Sequence, residues 1–418
     1  MPSYSPRVID AELSEILRYP GAVLLEGPRA CGKSATGRHH AHSSVQLDIE
    51  PAALQLAALD PGRLLVGKQP RFIDEWQMAP QLWNLVRAAV DHEDDASYIL
   101  AGSAVPADDV TRHSGAGRIL RFKMRPMSLA ESGHSSGAIS VESFFDDSAL
   151  SLSGVSSLTI ADLAEVIVRG GWPGLQQLPT RQVRTRLRSY LDDTARIDLA
   201  RLDGEPRRDP DAVMRVMRAL GRSTATEVAI SALARDASMG DERMGDSTVQ
   251  GYLGALARVF VIEDQPSWGP HLRSRDRVRK APRRHFIDPS LAAAAVGADA
   301  DRLLADLEYF GQLFESLVIR DLRVYTEPFG GAVRHYRDSA GREVDAVVER
   351  PDGSWIAIEI KLAASREDEA AASLSRFVAN LDPSRTPPPA SMVIVTGGQY
   401  AYTRADGIHV VPIGALTA

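Results

Sequence analysis

Short apolar runs alternate with amphipathic stretches over the first 130 residues, and the alternation predicts strands and helices in turn. Ala22 to Glu26 reads as a strand and Lys33 onward as a helix. Val45 to Ile49 and Arg71 to Asp74 read as strands, Gln81 to Val90 as an amphipathic helix, and Tyr98 to Ala101 and Ile119 to Met124 as strands again. Strands that alternate with helices build a parallel sheet covered on both faces. The Ser/Gly-rich stretch Ser132 to Ser157 breaks the pattern and reads as an insertion or linker.

Helical spacing then dominates from Ile160 to Leu307, clearest in Val183 to Leu202 and Asp211 to Leu220. Within it, Thr224 to Arg235 and Ser247 to Arg258 flank a polar, glycine-containing turn, and the apolar run Val259 to Glu263 follows. That order predicts a helix-turn-helix extended to a winged helix. From Val324 the period returns to two, with strands at Val333 to Arg337, Arg342 to Arg350, Trp355 to Leu362, Met392 to Thr396 and Ile408 to Pro412. Pro387-Pro388-Pro389 marks a solvent loop.

Composition narrows this only slightly. A chain of 418 residues exceeds the ~100–200 residues of one ordinary domain, in keeping with three units. Apolar residues at 44% and charged residues at 25% are a globular mixture, and a net charge of −7 gives no global pull toward nucleic acid. Cys31 is the single cysteine, which excludes an internal disulfide and a cysteine-based zinc site and fits a reducing cytoplasm. Met1 to Arg18 lacks the apolar run of a signal peptide, and no window reaches the ~18 apolar residues of a membrane span, so a cytoplasmic chain with no membrane partner is expected.

Gly27-Pro28-Arg29-Ala30-Cys31-Gly32-Lys33-Ser34 satisfies G-x-x-x-x-G-K-[ST] between a strand and a helix. Its backbone N–H groups, through Ala35, and the helix N-terminus are built to hold phosphate, Lys33 to reach the β- and γ-phosphates, and Ser34 to ligate Mg²⁺. ATP and Mg²⁺ are the expected cofactors. Cys31 inside the loop suggests that thiol modification blocks binding and that ATP protects. Phe72-Ile73-Asp74-Glu75 ends a strand with two carboxylates, Asp74 for the metal shell and Glu75 for the attacking water; the alternative is a surface acidic turn. Ser103 stands where a γ-phosphate sensor would sit, or caps a helix. Arg118 precedes the fifth strand, either as an arginine acting on a neighbouring subunit's γ-phosphate in a homo-oligomer or as a solvated strand end.

With these residues the chain resembles prokaryotic AAA-superfamily ATPases that join a P-loop domain to a C-terminal domain of unknown function. Further markers are Phe72 to Trp76, Ala101-Gly102-Ser103, Gly117-Arg118, Gly170-Gly171-Trp172-Pro173, His285-Phe286-Ile287-Asp288 and Gly311-Gln312-Leu313-Phe314-Glu315. The resemblance implies an α/β protein: a parallel-sheet P-loop ATPase core over 1–158, a helical and winged-helix middle over 159–290, and a mixed α/β, restriction-endonuclease-like domain over 291–418.

In that last region thirteen residues separate Asp345 from Glu359-Ile360-Lys361, the spacing of nucleases that hold Mg²⁺ with two carboxylates and use a lysine at the scissile phosphate. Alternation puts Glu359 and Lys361 on one face. A tight two-residue turn at Asp352-Gly353 would send Asp345 to the other face, so a working site requires a bulge or an odd-length turn. The resemblance implies Glu315 as a further carboxylate. The alternative is an ion-paired remnant of a nuclease fold used for binding. Arg273, Arg275, Arg277 and Arg279 recur at period two where the wing is expected, either as a clamp for DNA phosphates or as a solvated face. Gln250, Tyr252 and Arg258 are the long polar groups of the recognition helix, too few to read base sequence, so non-specific DNA contact is expected.

Overall fold

The computed structural model describes residues 4–92, 95–104, 115–146, 152–202, 209–240, 243–271 and 280–418. Arg273, Arg275, Arg277 and Arg279 lie outside them.

Helix α1 (Asp10–Ile16) leads into strand β1 (Gly21–Glu26), helix α2 (Lys33–His40) and strand β2 (Ser43–Gln46). Helix α3 (Pro51–Leu59), strand β3 (Arg71–Asp74), helix α4 (Leu82–His92), strand β4 (Ser97–Gly102) and strand β5 (Ile119–Lys123) complete the first unit. The described strands form one parallel sheet in the order β2-β3-β4-β1-β5. Ala22 to Leu25 and the whole of β4 are buried, as a sheet covered on both faces requires. Helix α4 covers one face by burying Leu82, Trp83, Val86 and Ala89 at helical spacing. Truncating Leu82 to alanine is expected to cost about 3 kcal/mol. In register, Glu26 lies level with Gly102 and Asp74 with Ala101, so β1, β3 and β4 end together on the carboxyl edge.

The stretch read as an insertion or linker is laced onto the terminal sheet rather than left as a free linker. Strand β6 (Ile139–Ser140) pairs with the far C-terminus, β14 (Leu416–Thr417), and β7 (Gly154–Val155) pairs with Tyr400 and Ala401 of β12 (Tyr400–Thr403). Its serines serve this lacing: Ser135 Oγ donates to Leu416 O at 2.7 Å, and Ser156 N–H to Gln399 O at 2.8 Å. A serine-rich composition therefore marks polar docking onto the terminal sheet.

The middle contains helices α5 (Ile160–Arg169), α6 (Thr180–Asp193), a π-helical turn (Thr194–Asp198), α7 (Leu199–Leu202), α8 (Pro210–Arg222), α9 (Ile230–Ala237) and α10 (Asp246–Arg258). Thr159 and Asp162 form a capping box that starts α5. Helix α11 (Pro289–Val296) packs on α5, α6 and α8, and α12 (Ala300–Ala305) on α5, which carries the helical unit to Ala305. Isolated bridges Ile262–Phe286 and Gln265–Arg283 follow α9 and α10, and Thr226, just before α9, bridges to Arg284. Tyr252, expected at a DNA-facing position, is buried in the core.

Helix α13 (Leu307–Tyr325) lies against strands β8 (Ala332–Arg337) and β10 (Trp355–Lys361), which flank β9 (Glu343–Glu349), with α14 (Glu367–Ala379), β11 (Met392–Thr396) and β13 (His409–Pro412) beyond. The mixed sheet runs β7-β12-β13-β11-β10-β9-β8. Among the described residues no helix is long and apolar enough to cross a membrane.

Candidate functional site

The phosphate loop leaves β1 at Glu26 and enters α2 at Lys33. A Cβ at Gly27 would stand 2.1 Å from Met124 O, so only glycine lets the loop pass that strand. Gly32 takes φ +114°, a left-handed turn that aims the first N–H groups of α2 at the carboxyl edge of the sheet. Arg7, which the sequence did not single out, braces the loop from behind: Nη1 donates to Cys31 O at 2.8 Å and Nε to Glu131 at 3.0 Å. Burial opposes the Arg7 charge, but Glu131 more than offsets it and raises its pKa.

Lys33 is buried, and its Nζ donates to Gly27 O at 2.8 Å and Pro28 O at 2.7 Å. No carboxylate pairs with it among the described residues. Asp74 is equally buried; it accepts from Gln46 Nε2 at 3.3 Å and from the Glu75 backbone N–H at 3.2 Å, and no described cation faces it. Buried charges are ordinarily paired or coordinate a metal. Two opposite charges left open, one at the start of α2 and one at the end of β3, therefore fit an anion at Lys33 and a cation at Asp74. Ser34, half-buried in the first turn of α2, follows Lys33 with a hydroxyl, and Ala35 comes next.

Glu75 takes φ +53°, strained for a side chain other than glycine. Its Oε2 accepts from Ser103 Oγ at 3.2 Å and from Gln77 Nε2. Ser103, at the end of β4, thus touches the carboxylate expected to handle water. These groups open into a cavity of about 780 Å³ lined also by Arg29, Asp48, Asp198 and Val259. The helical middle closes it: Arg29 Nη1 lies 2.6 Å from Asp198 Oδ1, at the end of the π-helical turn. Pro173 lies over Gly32. The run around it is anchored by Asp288, which takes the Gly171 N–H at 3.0 Å and Arg320 Nη1 at 2.8 Å.

One expectation, at Cys31, does not hold in its original form. The Cys31 side chain is wholly buried, with Sγ 3.6 Å from Met124 O, so a reagent cannot reach the thiol in the folded protein and only the Cys31 backbone faces the loop. Arg118 lies at the amino edge of the sheet, level with the start of β1 and on the order of 17 Å from the phosphate loop of its own chain. There its Nε donates to Asp91 at 2.8 Å.

The terminal acid cluster is assembled and filled. Ile358 pairs with Ala346 in the β9–β10 hairpin, and the turn has three residues, Pro351-Asp352-Gly353, closed by Arg350 N–H to Ser354 O at 2.8 Å. The odd-length turn brings Asp345 level with Glu359, on the face that also holds Lys361. Lys361 Nζ is 2.9 Å from Glu359 and 3.7 Å from Asp345. Arg283 reaches in from the bridged segment between α10 and α11. Its Nη1 meets Glu315 at 2.5 Å and Asp345 at 3.2 Å, and its Nη2 meets Glu343 at 2.9 Å.

Burial and the Asp345 charge push both Glu315 and Glu359 up to about 8. Burial also works against the Asp345 anion, but Lys361 and Arg283 hold its carboxyl below the ordinary range. The metal set expected from Glu315, Asp345 and Glu359 is therefore corrected. A guanidinium and an ammonium stand among the carboxylates, and the described residues contain no group of three acidic, His or Cys ligands arranged to hold a metal.

Residues 19–133 match the family described as "AAA domain". Residues 160–302 match "Domain of unknown function (DUF8612)" and residues 310–416 "Domain of unknown function (DUF4143)". Among solved structures, the Walker-type ATPase PABY2304 of Pyrococcus abyssi is 15% identical, covering 70% of this chain and 96% of that one, with a TM-score of 0.42. A signal transduction ATPase with numerous domains, with a tetratricopeptide repeat sensor, PH0952 from Pyrococcus horikoshii, is 11% identical, covering 78% of this chain and 50% of that one, with a TM-score of 0.19. No curated protein matches. The chain thus carries an AAA-type, nucleotide-binding P-loop ATPase domain.

Proposed function

We propose that the chain hydrolyses Mg-ATP and passes its nucleotide state through Arg29 and Asp198 to a helical middle that holds DNA. The observation that carries the reading is the pair of open buried charges, Lys33 and Asp74, at the carboxyl edge of one sheet. Lys33 turns from its two carbonyls to the β- and γ-phosphates. Ser34 and Asp74 hold Mg²⁺, which supplies charge neutralisation at the phosphates. Glu75, released from Ser103 and Gln77, accepts the proton of the attacking water. Ser103 reports whether the γ-phosphate is present.

Asp198 is the natural competitor of that phosphate for Arg29, so nucleotide binding loosens one contact between the ATPase unit and the π-helical turn. Arg118, remote from its own site, serves a neighbouring subunit in a homo-oligomer. The terminal unit is read as a nuclease-like fold kept for binding, because Arg283 is ion-paired with Glu315 and Asp345, the carboxylates that would hold a metal. The bridges Ile262–Phe286 and Gln265–Arg283 beside α9 and α10 support a winged helix, and DNA contact is non-specific.

The test measures phosphate release and duplex DNA affinity, with and without ATP, on wild type, Lys33→Ala and Asp198→Ala. ATP is expected to change DNA affinity in wild type and not in Lys33→Ala, and to change it less in Asp198→Ala. DNA affinity indifferent to ATP in wild type contradicts the coupling.

A further inference from the structure

Helices α6, α8 and α11 enclose a cleft of about 680 Å³ on the helical middle, away from both centres described above. Arg215, Arg218 and Arg222 recur at helical spacing along α8, and Arg188 of α6 faces them, its guanidinium beside Gly297. Arg188, Arg218 and Arg222 are exposed, and none has an ion-pair or hydrogen-bond partner among the described residues. Arg215 spends only Nε, on Ala237 O at 3.0 Å.

This openness is unusual within the chain. Acidic residues outnumber Lys and Arg by 55 to 48, and arginines as near as Arg184 have an acid, Asp299, at 2.9 Å. Asp192 and Asp236 also line the cleft, yet neither is paired with these arginines. The carbonyl end of α11, which would repel an anion, is quenched: Ala298 N–H donates to Ala293 O at 2.9 Å and Arg302 to Gly297 O at 3.1 Å.

From this we infer that the cleft binds the phosphate backbone of a nucleic acid, and that it, rather than the run Arg273 to Arg279, is the principal DNA contact of the chain. Residues three and four apart on a helix rise by about 4.5–6 Å, which lets successive α8 guanidinia track neighbouring phosphates while Arg188 closes from the other side. The guanidinium forks suit phosphate oxygens, and their repeat along one helix matches the repeating backbone rather than any one base edge, so binding depends little on sequence. The inference rests on the DNA reading above and names its surface.

The test titrates a labelled 30-base-pair duplex with full-length wild type and with the triple variant Arg188→Ala, Arg218→Ala, Arg222→Ala over a salt series. All three side chains are exposed, and ATP hydrolysis serves as the folding control, expected to stay unchanged. The variant is expected to bind at least ~10-fold more weakly, with a salt slope smaller by about 3. Equal affinity and slope in the two proteins overturn the cleft and leave the DNA reading intact. A wild type that binds no duplex overturns both. Inorganic tripolyphosphate bound by wild type and lost in the variant, without duplex binding, also overturns the nucleic-acid occupant.

Discussion

The chain contains two centres made from the same parts, a pair of carboxylates and a lysine near strand ends, and they differ in what lies between the charges. In the first unit Lys33 rests on two carbonyl oxygens and Asp74 on an amide and a backbone N–H. Its opposite charges stay open to a ligand. In the terminal unit Asp345 and Glu359 are bonded to Lys361, and Arg283 ties Asp345 to Glu315 and Glu343. Its charges have already found one another. Residue type and spacing supply the parts of a centre, and the occupancy of the gap decides whether it can do chemistry.

The sharpest way to break the comparison is to close the open centre. Lys33→Ala is expected to lower ATP hydrolysis by about 1000-fold, measured as phosphate release, because the lysine stabilises charge that develops on the phosphates. Normal turnover in that variant would remove the distinction between the two centres. Opening the closed centre gives the next effect: Arg283→Met leaves buried carboxylates without their cation and is expected to cost about 3 kcal/mol by denaturant unfolding. An unchanged midpoint would mean that Arg283 does not hold the cluster. Glu75→Gln is expected to slow hydrolysis by about 100-fold while nucleotide binding by calorimetry is retained; loss of both would make Glu75 a structural residue.

A pH series sharpens the contrast further. Glu315 and Glu359 ionise more readily in the unfolded chain, near 4.5, than in the folded one, about 8. The folded state therefore holds more protons in between, and the contribution of these two groups to stability is full below pH 4.5 and declines as pH rises through about 8. Replacing both by glutamine should flatten this decline in thermal unfolding, and a decline of unchanged steepness would assign it elsewhere. Asp198→Ala is the smallest expected change, a few-fold shift in KM for ATP, since its partner Arg29 is 42% exposed and solvent screens the pair. No change in KM would detach Arg29 from the nucleotide.

The parallel sheet was legible because its strands are short apolar runs separated by periodic helices, and the P-loop because its glycines and lysine stand at fixed positions. The three-residue turn at Pro351-Asp352-Gly353 met the requirement that alternation set for Asp345. What stayed hidden depended on distant segments. Arg283 is about 60 residues from Asp345 in the chain, and nothing local to it announces an acidic partner. Arg7 and Asp198 reach the phosphate loop only after folding, from before β1 and from the helical middle. The serines from Ser132 to Ser157 read as a linker because composition cannot tell a solvated serine from one bonded to Leu416 or Gln399. The Cys31 thiol points into the core because the backbone of the loop, rather than its side chains, faces phosphate.

One paired assay tests the contrast most directly: ATP hydrolysis and Mg²⁺-dependent DNA cleavage on the same preparations of wild type, Lys33→Ala and Asp345→Ala. ATP turnover should be present in wild type, lost in Lys33→Ala and kept in Asp345→Ala, with no DNA cleavage in any of the three. Cleavage by wild type that disappears in Asp345→Ala and persists in Lys33→Ala would show the terminal centre to be open and contradict the account.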